Sequence, residues 1–201
     1  PHPDRIYMAL AAAYFETGEN EQEKQALLWL ENLEEKPFLI ASDFSQREVV
    51  TTYVPVNDTS YKINKKNKPH QIMGSLVIGR DRQPRTFPVA IPEHPTVYMV
   101  WPNVDIDKTT RNTLSELCRK VTYVGHSASL VQMWIEKSPS NLVHGENSNN
   151  GLRLLEPKDS QYTRFQMRKI SPGKLKNLED LYPDLRPTPS LWSGYDVKKP
   201  E

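Results

Sequence analysis

Apolar residues at helical spacing open the chain. One helical face carries Ile6, Leu10 and Ala13, and another carries Met8, Ala12 and Phe15. A helix that is apolar on most sides should be buried. Pro3 suits its first turn, and Gly18 suits the position just after its end. Because such a helix normally packs on a sheet, we expect the fold to include at least one N-terminal strand that is missing from this chain.

Caps and apolar spacing predict three further helices. Asn20 and Glu23 have capping-box spacing for a helix over residues 21–35, which Pro37 ends. Asp107 caps a third helix, and a short fourth helix is expected near residues 174–181. The apolar positions at i, i+3, i+4 and i+7 of the third helix are Leu114, Leu117, Cys118 and Val121.

Strands are predicted where β-branched and aromatic residues cluster, over residues 48–56, 96–102 and 152–157. Residues 129–135 could form another strand or a helix, and the proline-rich tail looks like a linker or docking segment. With the missing strand restored, the order becomes β-α-β-β-α-β, which is the ferredoxin-like α+β order. Such a sheet keeps its helices on one face and leaves the other free for a ligand or RNA.

Charge is balanced overall but not along the chain. The 26 basic and 25 acidic residues leave a net charge of +1, which excludes a uniformly basic arm. Residues 61–85, however, hold seven basic residues against the single acid Asp81, a net charge of +6, so the rest of the chain carries −5.

The single cysteine, Cys118, excludes a disulfide framework and suggests a reducing compartment. No apolar run reaches membrane-spanning length, and we expect a cytoplasmic protein with no membrane partner.

The composition of this basic segment favours RNA. Its cations alternate with polar and aromatic residues, a mixture that suits phosphates and unstacked bases. These interleaved residues are Tyr61, Ile63, Asn64, Asn67, His70 and Gln71. Binding through six or seven such contacts should weaken steeply as salt rises. The alternatives are a solvated loop and a segment that docks on an acidic protein.

Enzyme and metal motifs are weak. The segment GHSAS over residues 125–129 lacks the final glycine of a nucleophile elbow, so a structural turn at Gly125 is favoured over a hydrolase with Ser127 as nucleophile. The five histidines lack the spacing that converges metal ligands, and no metal site or cofactor is predicted. They are His2, His70, His94, His126 and His144.

Four ordered segments together carry a family resemblance. They are PHPDRIYMALAAAYFETG, TTYVPVND, RQPRTFPVAIPEHPTVYMVWP and LCRKVTYVGHSASLVQ. The chain resembles the first half of the fused Cas-five/Cas-six subunit of type I-G (formerly I-U) CRISPR systems, a RAMP protein with a ferredoxin-like core. The resemblance implies a Cas-five-type domain over residues 1–185 with an insertion at about 57–86. Residues 186–201 would then be a proline-rich linker towards a nuclease half.

The resemblance also implies a function. A Cas-five-type domain holds the 5′ handle of the CRISPR RNA (crRNA) in the Cascade antiviral defence complex and caps its backbone. The implied partners are a Cas-seven-type backbone subunit, a Cas-eight-type large subunit and, through the complex, target DNA. No catalytic residue is expected in this segment, because the metal-independent endoribonuclease of the family is its Cas-six-type half.

Residue roles follow from that interpretation. The insertion would be a thumb-like hairpin in which Lys62, Lys65, Lys66 and Lys68 neutralise phosphates. Arg80, Arg82 and Arg85 would orient RNA bidentately at the sheet face. Arg5, His70 and His126 complete the predicted RNA-binding residues. Two alternatives remain, a precursor crRNA endoribonuclease that uses His70 or His126, and a protein-only docking module.

Overall fold

The fold is mixed α+β, as predicted. The structure, a computed structural model, describes residues 2–47, 51–55, 82–86, 89–126, 128–137, 151–160, 162–181 and 190–198. In chain order the elements of this described part are α1 (Pro3–Glu16), α2 (Glu21–Glu31), β1 (Phe38–Ser42), β2 (Phe44–Gln46), β3 (Thr52–Pro55), β4 (Arg82–Arg85), β5 (Ala90–Pro92), β6 (Tyr98–Val100), α3 (Lys108–Lys120), β7 (Leu152–Lys158), β8 (Phe165–Lys169), α4 (Lys174–Leu181) and β9 (Leu191–Val197).

The chain divides into two units, one formed by Pro1–Asp43 with Thr96–Glu201 and the other by Phe44–Pro95. The first unit contains the four helices and an antiparallel sheet with strand order β6-β1-β7-β9-β8. The second contains two antiparallel pairs, β2 with β5 and β3 with β4. The predicted insertion at 57–86 falls within the second unit, and its residues 57–81 lie outside the described residues.

The first two helices form where the sequence predicts them. Pro3 occupies the first turn of α1, and Gly18 follows its end with a φ of 102°. The buried stripe of α1 is narrower than predicted, because Ala12 is exposed. The buried residues of this helix are Pro3, Asp4, Tyr7, Leu10, Ala11, Ala13 and Tyr14. The helix α2 ends at Glu31 rather than near residue 35, since Asn32 caps it with a side-chain amide that donates to the Leu28 carbonyl at 2.7 Å.

The third helix completes a helical core. The Asp107 carboxylate accepts hydrogen bonds from the backbone N–H groups of Thr109 at 2.8 Å and Thr110 at 3.0 Å, which satisfies two free donors at the start of α3. All four predicted apolar positions of this helix are buried. They pack with α1, α2 and α4 in a core that includes Tyr7, Leu27, Leu117 and Leu175, each at most 1 % exposed.

The last strand corrects the prediction for the tail. Leu191–Val197, which lies inside the predicted linker at 186–201, forms β9 between β7 and β8. The Tyr195 side chain is 1 % exposed, and its hydroxyl donates to the Pro37 carbonyl at 3.2 Å. The linker was predicted from the prolines of the tail, whereas residues 191–197 pair with β7 and β8. Tyr195 is therefore part of the interior of this chain.

Other strands also differ from expectation. The sequence did not predict β1, β2, β5 or β8, and of these β1 lies between β6 and β7 in the sheet. The predicted strands over 48–56 and 96–102 contain β3 and β6, and β7 extends one residue beyond the predicted range 152–157. Residues 131–137 form neither strand nor helix. Among the described residues, no helix combines the length and apolar character needed to cross a bilayer.

Burial makes the Cys118 thiol poorly reactive. The side chain lies in the helical core, and burial raises the pKa of its thiol to about 11. Because the thiolate is the reactive form, only about one thiol in a thousand is ionised near pH 8. We expect a thiol-reactive reagent to label the native protein at least about a hundredfold more slowly than protein unfolded in urea. Equal labelling rates in the two states would contradict this placement.

Candidate functional site

Most of the predicted RNA-binding residues lie outside the described part of the chain. These are Lys62, Lys65, Lys66, Lys68, His70 and Arg80. Arg82 and Arg85 begin and end β4, which pairs with β3 through the register Thr52↔Arg85 and Pro55↔Arg82. Arg85 is exposed. This pair belongs to the second unit, so the residues left to define a site in the first unit are Arg5 and His126.

His126 lies at the tip of a short hairpin over residues 122–131. The Val131 N–H donates to the Thr122 carbonyl at 2.9 Å, and the Ser129 N–H donates to the His126 carbonyl at 2.8 Å. Gly125 has a φ of 79°, a conformation that favours glycine. The chain returns antiparallel to itself after this turn instead of entering a helix, whereas a nucleophile elbow requires a helix there. This geometry favours the structural-turn interpretation of GHSAS; Ser127 itself lies outside the described residues.

Arg5 contacts the tip of this hairpin. It is exposed on the first turn of α1, and a methyl group placed at Gly125 would lie 3.1 Å from its Nη1 atom. Glycine at position 125 therefore has two roles: it adopts the positive φ of the turn, and it leaves room for the Arg5 guanidinium. The contact places Arg5 against the residue that precedes His126, another predicted RNA-binding residue, which is far from Arg5 in sequence.

A groove of about 530 Å³ runs beside this contact. Its floor includes Met8, Ala9, Ala12 and Leu178, and three cations line it, Arg5, Lys120 and Arg168. Two acids also line it, Asp4 in the first turn of α1 and Glu16 at the C-terminal end of this helix, and Asp4 is paired with Lys174 at 3.1 Å.

The three cations of the groove differ in what neutralises them. Lys120 is held by the Glu23 carboxylate at 2.5 Å and by the Thr17 hydroxyl at 2.8 Å. Within the described residues, neither Arg5 nor Arg168 forms an ion pair with a carboxylate. The end of the groove near the start of α1 is therefore positively charged and open to an anion.

Arg168 was not predicted, because β8 was not recognised as a strand. Its signal is the alternation of apolar Phe165 and Met167 with polar Gln166 and Arg168, a period of two that is typical of a half-buried strand. The strand is short, and the polar Lys169 interrupts the pattern at its end. The alternation alone could have identified the strand, but not its position beside α1.

His2 connects this strand to α1. Its Nδ1 atom accepts a hydrogen bond from the backbone N–H of Arg168 at 3.0 Å. Burial, followed by the nearby charge of Arg5, lowers the pKa of the imidazole. The ring is therefore neutral near pH 7, with Nε2 carrying the proton. Among the described residues, no group of three His, Cys, Asp or Glu side chains is placed to hold a metal ion.

Comparisons with known proteins give no relative. No protein-family model matches the chain, and neither the curated proteins nor the solved structures contain a significant match to it.

Proposed function

We propose that this chain is a non-catalytic RNA-binding scaffold, the Cas-five-type half of a type I-G Cascade subunit that holds the 5′ handle of the crRNA. The proposal includes a ferredoxin-like core, a cytoplasmic antiviral complex, and the Cas-seven-type and Cas-eight-type subunits as neighbours. Target DNA is contacted only through the complex. Its α+β class and antiparallel sheet suit such a core.

The observation that carries the proposal is the contact between Arg5 and the hairpin tip that holds His126. Arg5 lies against the turn at Gly125 that precedes His126, and Arg168 adds a second guanidinium at the groove that Arg5 lines. Guanidinium groups without a carboxylate partner are suited to bind phosphate oxygens, because their fork of donors matches the phosphate geometry.

The test measures binding of the chain to a labelled repeat-derived 5′ handle and to a scrambled RNA of equal length, each at two salt concentrations. We expect tighter binding to the handle. Arg5→Ala should weaken it about tenfold at low salt and reduce the log-log salt slope by about 0.7, the value for one phosphate contact on a single strand.

Arg111→Ala is the matched control, because Arg111 is exposed on α3 and does not line the groove. It should change affinity much less than Arg5→Ala. The triple variant of Arg80, Arg82 and Arg85 to alanine tests the insertion in the same assay, with loss of handle preference expected. Equal weak binding of both RNAs by the unaltered chain would overturn the proposal.

A protein-docking module is the second candidate. Three large apolar side chains on and after the hairpin are exposed, Tyr123 at 41 %, Leu130 at 77 % and Trp134 at 56 %. Exposed apolar residues that cluster along one segment favour contact with a protein. In this case the chain would bind an acidic partner protein, and RNA would not protect the insertion from proteolysis.

The endoribonuclease alternative depends on His70 and His126. The Nδ1 atom of His126 accepts a hydrogen bond from the Ala128 N–H at 3.1 Å, which occupies one of the two ring nitrogens with the turn itself. We expect precursor RNA cleavage by the intact subunit to be unchanged when both histidines are replaced by alanine. A large loss of cleavage would assign catalysis to this half of the protein.

A further inference from the structure

Trp192 and Arg168 face each other across the β8 and β9 pair. They are register partners in an antiparallel ladder, so their side chains lie on the same face of the sheet. The guanidinium carbon of Arg168 is 5.4 Å from the centre of the indole ring, within the range of a cation-π contact. The ring of His2 meets the indole edge-on at 5.8 Å.

The indole is held in place but is not covered. It contacts the Arg168 guanidinium and the His2 imidazole, yet Trp192 remains 51 % exposed. The neighbouring position on the same face, Gly194, is covered, because a methyl group there would clash with the Thr163 hydroxyl and would lie 2.9 Å from the Ser160 carbonyl oxygen. On this face of the sheet, β9 is therefore covered at Gly194 and exposed two residues earlier, at Trp192.

The charges around the indole favour an anionic aromatic ligand. Arg168 is without a carboxylate partner among the described residues, and it lines the same groove as Arg5. The nearby acid Asp4 is already paired with Lys174 at 3.1 Å. A flat ring beside the Arg168 guanidinium, with Arg5 on the groove that Arg168 also lines, combines a stacking surface with phosphate donors, as single-stranded nucleic-acid sites do.

We propose that Trp192, Arg168 and His2 form a stacking site for one base of single-stranded RNA, with the adjoining phosphate between Arg168 and Arg5. This inference rests on the proposed RNA-binding function and assigns one base contact within it. The exposed part of the indole receives the base. The guanidinium, which lies over the ring, binds the phosphate.

A matched pair of variants separates stacking from a general loss of aromatic surface. Trp134 is exposed to a similar extent, 56 %, but its indole N–H donates to the Glu136 carboxylate at 3.2 Å, so its neighbour is an acid. Trp192→Leu should weaken binding of the repeat-derived handle about tenfold or more, and Trp134→Leu should leave it unchanged. Trp192→Phe, which keeps a ring, should restore most of the affinity.

Two readouts distinguish this site from a phosphate contact. Trp192→Leu should leave the salt slope unchanged, unlike Arg5→Ala. Its effect should also disappear on an abasic strand of the same length, because such a strand offers no base to stack. A Trp192→Leu effect of the same size on the abasic strand would overturn the proposal.

A second measurement does not depend on the folding of the leucine variant. The chain contains four tryptophans, so protein labelled with 5-fluorotryptophan should give four ¹⁹F resonances, with that of Trp192 identified by its absence in Trp192→Phe. We expect the handle RNA to shift this resonance and to leave that of Trp134 in place. If the handle binds but Trp192 does not respond, the stacking site is wrong and the RNA-binding function stands. If no RNA binds, both proposals fall.

Discussion

Replacing Glu31 with alanine is expected to lower the free energy of unfolding by about 4 kcal/mol. The Glu31 side chain, in a residue only 3 % exposed, accepts three hydrogen bonds. The donors are the Tyr7 hydroxyl at 2.7 Å, the Gly173 N–H at 3.0 Å and the Leu175 N–H at 2.8 Å. Alanine would leave all three without this acceptor, and two of them belong to the start of α4, where a carboxylate also interacts favourably with the helix dipole.

Urea unfolding followed by circular dichroism measures this effect. Glu34→Ala is the matched control, because Glu34 is exposed three residues further along the chain, and its loss should change stability by less than about 0.5 kcal/mol. Glu31→Gln keeps one carbonyl oxygen as an acceptor, and the free energy of unfolding of this variant should fall between those of Glu31→Ala and Glu34→Ala. Equal unfolding midpoints for the Glu31→Ala and Glu34→Ala proteins would contradict the hydrogen bonding described for Glu31.

Removing Lys174 is expected to have an effect of similar size. The Lys174 ammonium lies 3.1 Å from the Asp4 carboxylate, and the two side chains are only 3 % and 5 % exposed. Lys174→Met would leave a buried carboxylate without its counter-charge, which costs about 3 to 5 kcal/mol. The double variant Asp4→Asn/Lys174→Met removes both charges and should recover most of the loss, because neither residue is then buried as an unpaired ion.

A surface ion pair provides the comparison. Arg119 and Glu116 form an i,i+3 pair on α3 at 2.6 Å with side chains 71 % and 60 % exposed. Arg119→Met should cost less than about 1 kcal/mol, since solvent screens such pairs. A Lys174→Met loss as small as this one, or a double variant less stable than Lys174→Met, would refute the buried-pair interpretation.

These buried contacts also position the proposed RNA site. Asp4 and Tyr7 lie three residues apart on the inner side of α1, where they bind Lys174 and Glu31, and Arg5 lies on the outer side. The first turn of α1 is thus tied to α2 and α4. Because the same turn carries Arg5 and follows His2, its anchoring sets where both side chains meet the hairpin and β8.

How much was predictable differs between helices and strands. All four helices follow from local signals, since an N-cap such as Asp107 and a run such as Leu114 to Val121 act within a few residues of each other. Strand β9 depends on partners 24 and 42 residues away, Arg168 at Trp192 and Leu155 at Val197. The prolines of the tail predict a linker, and the strand at β9 can be identified only once its two partner strands are known.

The site shows the same division. The sequence by itself determined the helices, the α+β class and the buried positions of α3, and it predicted Arg5 and His126 as two separate RNA-binding residues. Only the tertiary structure decided that Arg5 touches the turn at Gly125, that Arg168 joins the same groove and that Trp192 remains half exposed beside it. The physical reason is that capping and helical periodicity act between near neighbours, whereas sheet register and side-chain packing join residues whose separation along the chain leaves no local pattern.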